Sequence, residues 1–339
     1  MERLESMSRR RMIGVASLTT ASAVMHAGAS RLLAADAADA APRGLPDVVI
    51  DTHTHFYDPS RREGVPWPAP GDATLYRTVV PDEWQRLVRP LGVKGTVVVE
   101  ASSWVEDNQW LLDLATRHES ARLPGMLGVV GVVGNLPLGE DGCGDLITRF
   151  ARDPRYRGVR VNGDRLREGI EDAAYRRDLG SLADKDLAID VNHGAVFEAV
   201  EKLAPAFSSL RIVIDHMGGG RFNDSGPEPG WIDALGRAAG HANVFLKVSA
   251  MVELAAHAAG TPAGPMQPGF YEPWLDVVWK AFGPKRLMFG SNWPVSDRAG
   301  TYADIMAVVR PFIGGKGLDA AKWFFGETSR QAYRWITPA

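Results

Sequence analysis

Cysteine is almost missing from this chain. Cys143 is the only one in 339 residues, which excludes an intrachain disulfide framework and any cysteine-built metal centre. A metal would have to be held by histidine or carboxylate side chains. Cys143 lies in the glycine-rich stretch EDGCGD and is read as incidental rather than nucleophilic. Long basic runs are also missing, and 38 Lys+Arg against 41 Asp+Glu leave a formal net charge of -3. That balance gives nucleic acid no electrostatic footing. No apolar run is long enough to span a bilayer, so stable membrane insertion is not expected. Beyond Pro46 no composition break marks a second domain. What remains is ordinary globular composition, 45% hydrophobic and 23% charged, with enough length for one barrel-sized domain.

The first residues differ from the rest. Ser8-Arg9-Arg10-Arg11-Met12-Ile13 is a twin-arginine pattern, followed by a small, apolar segment to about Met25 and a small-x-small cleavage candidate at Ala27-Gly28-Ala29. The pattern predicts a signal peptide and cleavage region over 1–35, a flexible lead over 36–46, and the globular domain over 47–336. The twin-arginine export machinery would be a partner, and the mature protein periplasmic or extracellular.

The domain is organised around VVIDTHTHFYD, residues 48–58. Apolar and β-branched residues lead into Asp51, a buried-strand signal, and His53 and His55 follow at i, i+2. Side chains alternate along a strand, so both imidazoles project to one side and can share a divalent metal. Seven further apolar runs follow, at 96–101, 126–133, 158–162, 187–192, 211–216, 244–250 and 287–291. Amphipathic stretches at 82–90, 107–119, 144–152, 172–183, 195–207, 228–239, 271–281 and 301–311 alternate with them. Strands without polar alternation are expected where both faces are covered, and eight such repeats predict an α/β (β/α)8 TIM barrel. Residues 318–335 predict an extra C-terminal helix packed on the outside of the barrel. Residues 56–81 and 255–270, rich in Pro and Gly, read as long loops over the active face.

In such a barrel, chemistry collects at the C-terminal ends of the strands. There the chain places His53 and His55, then Glu100 and Trp104, then Arg160, then Asp190 and His193. Asp215 and His216 follow, then Lys247, then Asn292 and Trp293. Arg160 and Lys247 offer positive charge to an acidic or hydroxyl-rich substrate, and Trp104, Tyr57 and Trp293 are candidate pocket walls for a sugar ring.

The motifs DTHTHF at 51–56, DHMG at 215–218, KVS at 247–249 and FGSNWPV at 289–295 resemble the amidohydrolase superfamily. More narrowly, they are similar to its amidohydrolase-related branch of sugar-acid and pyrone-dicarboxylate lactonases. The resemblance covers nearly all of 47–336. It implies an amidohydrolase-like barrel that opens a lactone by attack of activated water on the ring carbonyl. It also implies one divalent metal, zinc or manganese, or none, since members of the branch differ on this point. His193 stands where several mononuclear members supply a metal ligand, so His53, His55 and His193 become the expected set, with His216 and Asp215 catalytic. One departure stands out: where the family carries a strand-eight aspartate as general base, this chain has Asn292. An amide takes no proton from water at neutral pH, so Asn292 is expected to orient substrate or water, and either another carboxylate, among Asp215, Asp190, Glu100, Asp297 and Asp51, acts as base or the activity differs. A metal-dependent decarboxylase and an exported, non-catalytic binding protein are the other function classes.

Overall fold

The structure is a computed structural model that describes residues 45–337. The expected signal peptide and most of the lead lie outside these residues. Eight parallel strands follow one another around a single sheet. They are β1 (Ile50–Thr54), β2 (Gly95–Val99), β3 (Gly128–Gly134), β4 (Tyr156–Asn162), β5 (Ala188–Asn192), β6 (Arg211–Ile214), β7 (Val244–Val248) and β8 (Leu287–Phe289). The seam between β8 and β1 is held by the Thr52 hydroxyl donating to the Phe289 carbonyl at 2.6 Å and the His55 amide donating to the Trp293 carbonyl at 2.9 Å. The result is the expected (β/α)8 barrel, nearly closed.

Each strand reads as an unbroken apolar run because helices cover its outer face and side chains fill its inner one. The inner filling is a compact cluster that includes Val97, Val99, Val133, Val213, Phe245 and Met288. Alternation carries the inner face upward from this layer, so that Ala188 is followed by Asp190, Val213 by Asp215 and Phe245 by Lys247. The C-terminal ends of the strands therefore deliver polar groups onto an apolar floor.

All eight expected helices form, and the one at Asp107–Glu119 keeps both of its expected ends. Two more lie where no helix was read. Gly163–Gly169 follows β4 directly, capped by the Asn162 side chain, which accepts from the Asp164 and Arg165 amides. Met251–Ala259 follows β7 and ends at Gly260 with φ 66°. The expected loop at 255–270 thus begins inside a helix. Its alanine-rich turns favour helix, but nine residues ahead of a Pro/Gly-rich stretch give too short a period to stand out.

The C-terminal helix also differs from expectation. It is built from Leu318–Lys322, a π-helical turn Trp323–Glu327, and Thr328–Tyr333. Its last residues do not stay outside: Ala332, Tyr333 and Trp335 join the inner cluster. Tyr333 is fully buried, and its hydroxyl donates to the Asp190 carboxylate, 3.0 and 2.9 Å from the two oxygens. The amphipathic pattern named the helix correctly, but could not say which surface its aromatic face would meet.

Candidate active site

His53 is the penultimate residue of β1 and His55 follows the strand, with ring centroids 5.0 Å apart. The close approach of β8 to β1 depends on Gly290, where a Cβ would lie only 2.8 Å from the Cβ of His53 and 3.2 Å from that of Ser249. Asp51 accepts from the His53 and Ser291 amides, the Ser291 hydroxyl and the Tyr302 hydroxyl. With its lone pairs so engaged it latches the seam and is not available as a base, although burial pushes its carboxyl up.

Behind the histidines lies a buried ionic group. Lys247 Nζ, fully buried, is 2.6 Å from Asp190 Oδ2 and 3.0 Å from Asp215 Oδ1. It is also 3.3 Å from His53 Nδ1. Asp215 reaches forward too, accepting from Arg160 Nε at 3.0 Å. Burial pushes the Asp215 carboxyl up, but Lys247, His53 and Arg160 outweigh it and hold the group well below the usual carboxylate range. Burial raises Asp190 to about 6, against the opposing pull of Lys247.

The four histidines at the strand ends are held neutral. Burial lowers His55 to about 4, with Arg160 adding to the effect, and lowers His216 to about 3. It takes His53 well below its ordinary value and lowers His193 as well. His55 Nδ1 lies 3.0 Å from the Val99 carbonyl, which makes Nδ1 the protonated nitrogen, and Nε2 faces Asn292 Oδ1 at 3.3 Å. His216 sets Nδ1 2.9 Å from the Ser249 hydroxyl and Nε2 3.4 Å from Arg160. In the amide orientation that satisfies Asn192, its oxygen also accepts from Arg160, at 3.0 and 2.8 Å.

Backbone strain gathers at the same level. His193, His216, Met217, Ala250 and Asn292 all have φ between 50° and 60°, a left-handed conformation that costs most side chains free energy. They follow β5, β6, β7 and β8, where the chain turns sharply to aim side chains over the barrel mouth. Above them opens a cavity of about 940 Å³ lined by His55, His193, His216, Arg160, Asn292 and Asp215, with Glu100, Glu253 and Trp67.

Several expected site residues are placed elsewhere. Lys247 is buried behind His53 and absent from the cavity lining, so its charge serves Asp190 and Asp215, not substrate. Trp104 is 40% exposed and outside the lining. Trp293 is buried against Phe56, with ring centroids 6.4 Å apart, and Tyr57 is buried with its hydroxyl donating to the Leu75 carbonyl. Trp293 and Tyr57 are packing residues, and Trp104 is a surface residue. Their role as wall falls to Trp67, which stands 6.1 Å from the His55 ring. Its signal was a tryptophan between two prolines in a long loop over the active face. Glu253 was missed as well, because it lies between the strand read to 250 and the loop read from 255, where no helix was expected.

Among the described residues, one histidine and carboxylate group has ligand atoms within 4.8 Å of one another: His53, Asp215 and His216. The expected set of His53, His55 and His193 therefore shares only His53 with it. His193 sits exposed at the cavity rim, 6.4 Å from the His216 ring, and His55, whose Nδ1 donates to the Val99 carbonyl, lies outside the group. The buried Nε2 of His53 has no hydrogen-bond partner among the described residues. A neutral imidazole with an unclaimed nitrogen beside an ionised carboxylate and a second neutral imidazole fits a divalent metal.

A parallel (β/α)8 barrel with an H-x-H pair on its first strand, a histidine after its sixth and a polar cavity at its C-terminal face defines a hydrolase of the amidohydrolase type. The chain belongs to the amidohydrolase family, whose model matches residues 50–335. It is 33% identical over 263 residues to an L-fucono-1,5-lactonase from Burkholderia ambifaria, covering 75% of this chain and 83% of that one. It is 28% identical over 309 residues to a protein of the same name from Burkholderia multivorans, covering 86% and 97%. Among solved structures it is similar to an amidohydrolase from Burkholderia multivorans with bound zinc, at 26% identity and a TM-score of 0.73, covering 85% of this chain and 100% of that one.

Proposed function

We propose that the protein hydrolyses the lactone of a sugar acid, opening the ring to the hydroxy acid. The observation that carries this reading is the cavity at the C-terminal face, where neutral His216, the Arg160 guanidinium and buried carboxylates converge. The two fuconolactonase relatives support the choice of substrate class. A decarboxylase reading rests on fold alone, since 2,6-dihydroxybenzoate decarboxylase shares 15% identity at a TM-score of 0.51.

The residues divide the work. Arg160 is anchored through Nε to Asp215 and through Nη2 to Asn192 and His216, which leaves Nη1 for the ring carbonyl or a neighbouring hydroxyl, and it adds positive potential where oxyanion charge develops. His216 Nε2 lies 3.4 Å from the guanidinium and accepts from it, so the neutral imidazole helps hold Arg160 in place. Trp67 gives the pyranose or furanose ring an apolar face. His53, Asp215 and His216 would hold a divalent metal, zinc by analogy with the Burkholderia structure, and when bound it supplies a Lewis acid for the carbonyl and for water.

Initial rates of acid release from a panel of aldono-1,5- and aldono-1,4-lactones, corrected for spontaneous opening and with L-fucono-1,5-lactone included, test the proposal. Turnover of about 1–10³ s⁻¹ on at least one sugar lactone is expected, falling after chelation and returning with zinc. Rates equal to the blank across the panel would overturn it.

We also propose that residues 1–35 direct export through the twin-arginine route, on the strength of the Ser8–Ile13 pattern. A reporter fused behind residues 1–40 is expected to reach the periplasm and to stay in the cytoplasm when Arg9, Arg10 and Arg11 are all changed to lysine. Export that survives the triple change would rule out this route.

A further inference from the structure

Asn292 occupies the position where the family resemblance places a basic aspartate, yet its amide is not isolated. Its Nδ2 donates to Glu253 Oε1 at 3.0 Å, and its Oδ1 faces His55 Nε2. Glu253 comes from the first turn of the helix Met251–Ala259 and lines the catalytic cavity. Its other oxygen, Oε2, is buried and has no hydrogen-bond partner among the described residues. An unsatisfied buried carboxylate oxygen is costly for a fold to keep. Here one side of the carboxylate is fixed by Asn292, while the other is buried without a partner in a residue that lines the cavity.

We propose that Glu253 is the general base of the reaction, working through Oε2 in the place of the carboxylate that Asn292 lacks. This rests on the lactonase reading. As the water oxygen bonds to the ring carbonyl carbon, Oε2 takes one water proton and the carbonyl π pair moves onto its oxygen. Collapse of that tetrahedral species re-forms the carbonyl and breaks the bond to the ring oxygen. The leaving oxygen takes the proton back from Glu253, so one water is consumed, one hydroxy acid forms and the carboxylate is regenerated. Asn292 is the positioning residue that holds Oε1 and so aims Oε2.

The surroundings favour such a base. Burial raises the Glu253 carboxyl to about 7, against the lowering effect of its hydrogen bond from Asn292, which suits proton transfer at neutral pH. The groups acting on it are Asn292, just after β8, Asp297 from the turn Val295–Arg298 and Tyr271 from the helix Pro268–Phe282, and Arg298 and His257 line the same cavity. Asp297 pushes the carboxyl up a little further.

The test compares wild type, Glu253→Gln, Asn292→Asp and the double variant on a lactone that the wild type opens. A wild type inactive on every lactone defeats the lactonase reading and this proposal with it; an active wild type isolates the proposal. Glu253→Gln is then expected to lose at least a hundredfold in kcat with KM within a few-fold, and to lose the acid limb that wild-type kcat/KM shows near pH 7. Asn292→Asp alone is expected to lose tenfold or more at neutral pH, because two carboxylates at hydrogen-bond distance share one proton. In the Glu253→Gln background the same change is expected to raise activity by tenfold or more. At pH 8 the Glu253→Gln variant should melt no lower than wild type, since it removes a buried charge. Glu253→Gln activity within threefold of wild type, or an unchanged acid limb, would overturn the proposal. Should that variant misfold, Glu253→Ala assayed with added formate decides: recovery supports the base, and no recovery overturns it.

Discussion

Lys247→Met is expected to lower the free energy of unfolding by about 3–5 kcal/mol, read from the shift of the urea midpoint at constant slope. The lysine ammonium is fully buried between Asp190 at 2.6 Å and Asp215 at 3.0 Å. Methionine fills much the same volume without a charge, so packing is nearly kept and the loss comes from two carboxylates left facing each other. The sign of its pH dependence follows from Asp190. Its pKa is raised by burial to about 6 in the native state, so between that value and the unfolded carboxylate range the native state binds the extra proton. Stability conferred by that proton rises as pH falls through this window. Without Lys247 the native pKa of Asp190 rises further, so the deficit of the variant should be largest above neutrality and shrink toward pH 5. A loss below about 1 kcal/mol at pH 8 would show that the ammonium is dispensable to the buried group.

Asp215→Asn should lower kcat/KM by about 10²- to 10³-fold, the scale set by removing a preorganised electrostatic group from a hydrolytic site. One Asp215 oxygen accepts from Arg160 Nε at 3.0 Å, and the other lies 3.0 Å from Lys247 and 3.4 Å from His53 Nδ1. Asparagine keeps one acceptor but turns an N–H toward a cation on the other side. Either Arg160 or Lys247 loses its anchor, and one of the three donors that could hold a metal goes too. Acid unfolding supplies a second readout. The Asp215 carboxyl is held well below its ordinary value, so its contribution is fully present above the unfolded carboxylate pKa and is lost as pH falls through the native one. The variant should lack that part of the acid transition. A kcat/KM within tenfold of wild type would mean that Arg160 and His53 are positioned by other groups.

What could be read from the sequence and what could not divide along a physical line. The eight strands, the pairing of His53 with His55 and the collection of polar residues at strand ends follow from periods of two and of about 3.6, which act over a few residues. The contact of Asn292 with Glu253 spans 39 residues and that of Tyr333 with Asp190 spans 143; neither exists until the barrel closes. Lys247 illustrates the same limit. A lysine at a barrel strand end reads as a cation for substrate, and only the arrival of Asp190 and Asp215 on both sides makes it a buried counter-ion. Trp104, Trp293 and Tyr57 could not be told from Trp67, because an aromatic side chain has the same signature whether it packs or walls a cavity.

Tyr333, six residues from the end of the chain, closes the floor on which Asp190, Lys247 and Asp215 rest. Synthesis runs from the N-terminus at about 5–20 residues per second, so every cavity residue has emerged while the tyrosine that completes their support is still unmade. A nascent barrel therefore holds the Asp190 carboxylate without one of its donors until Tyr333 has been added. Final assembly of the hydrolytic centre in effect waits for residue 333, and a ribosome stalled before that codon would carry a chain with every catalytic side chain present and an unfinished floor beneath them.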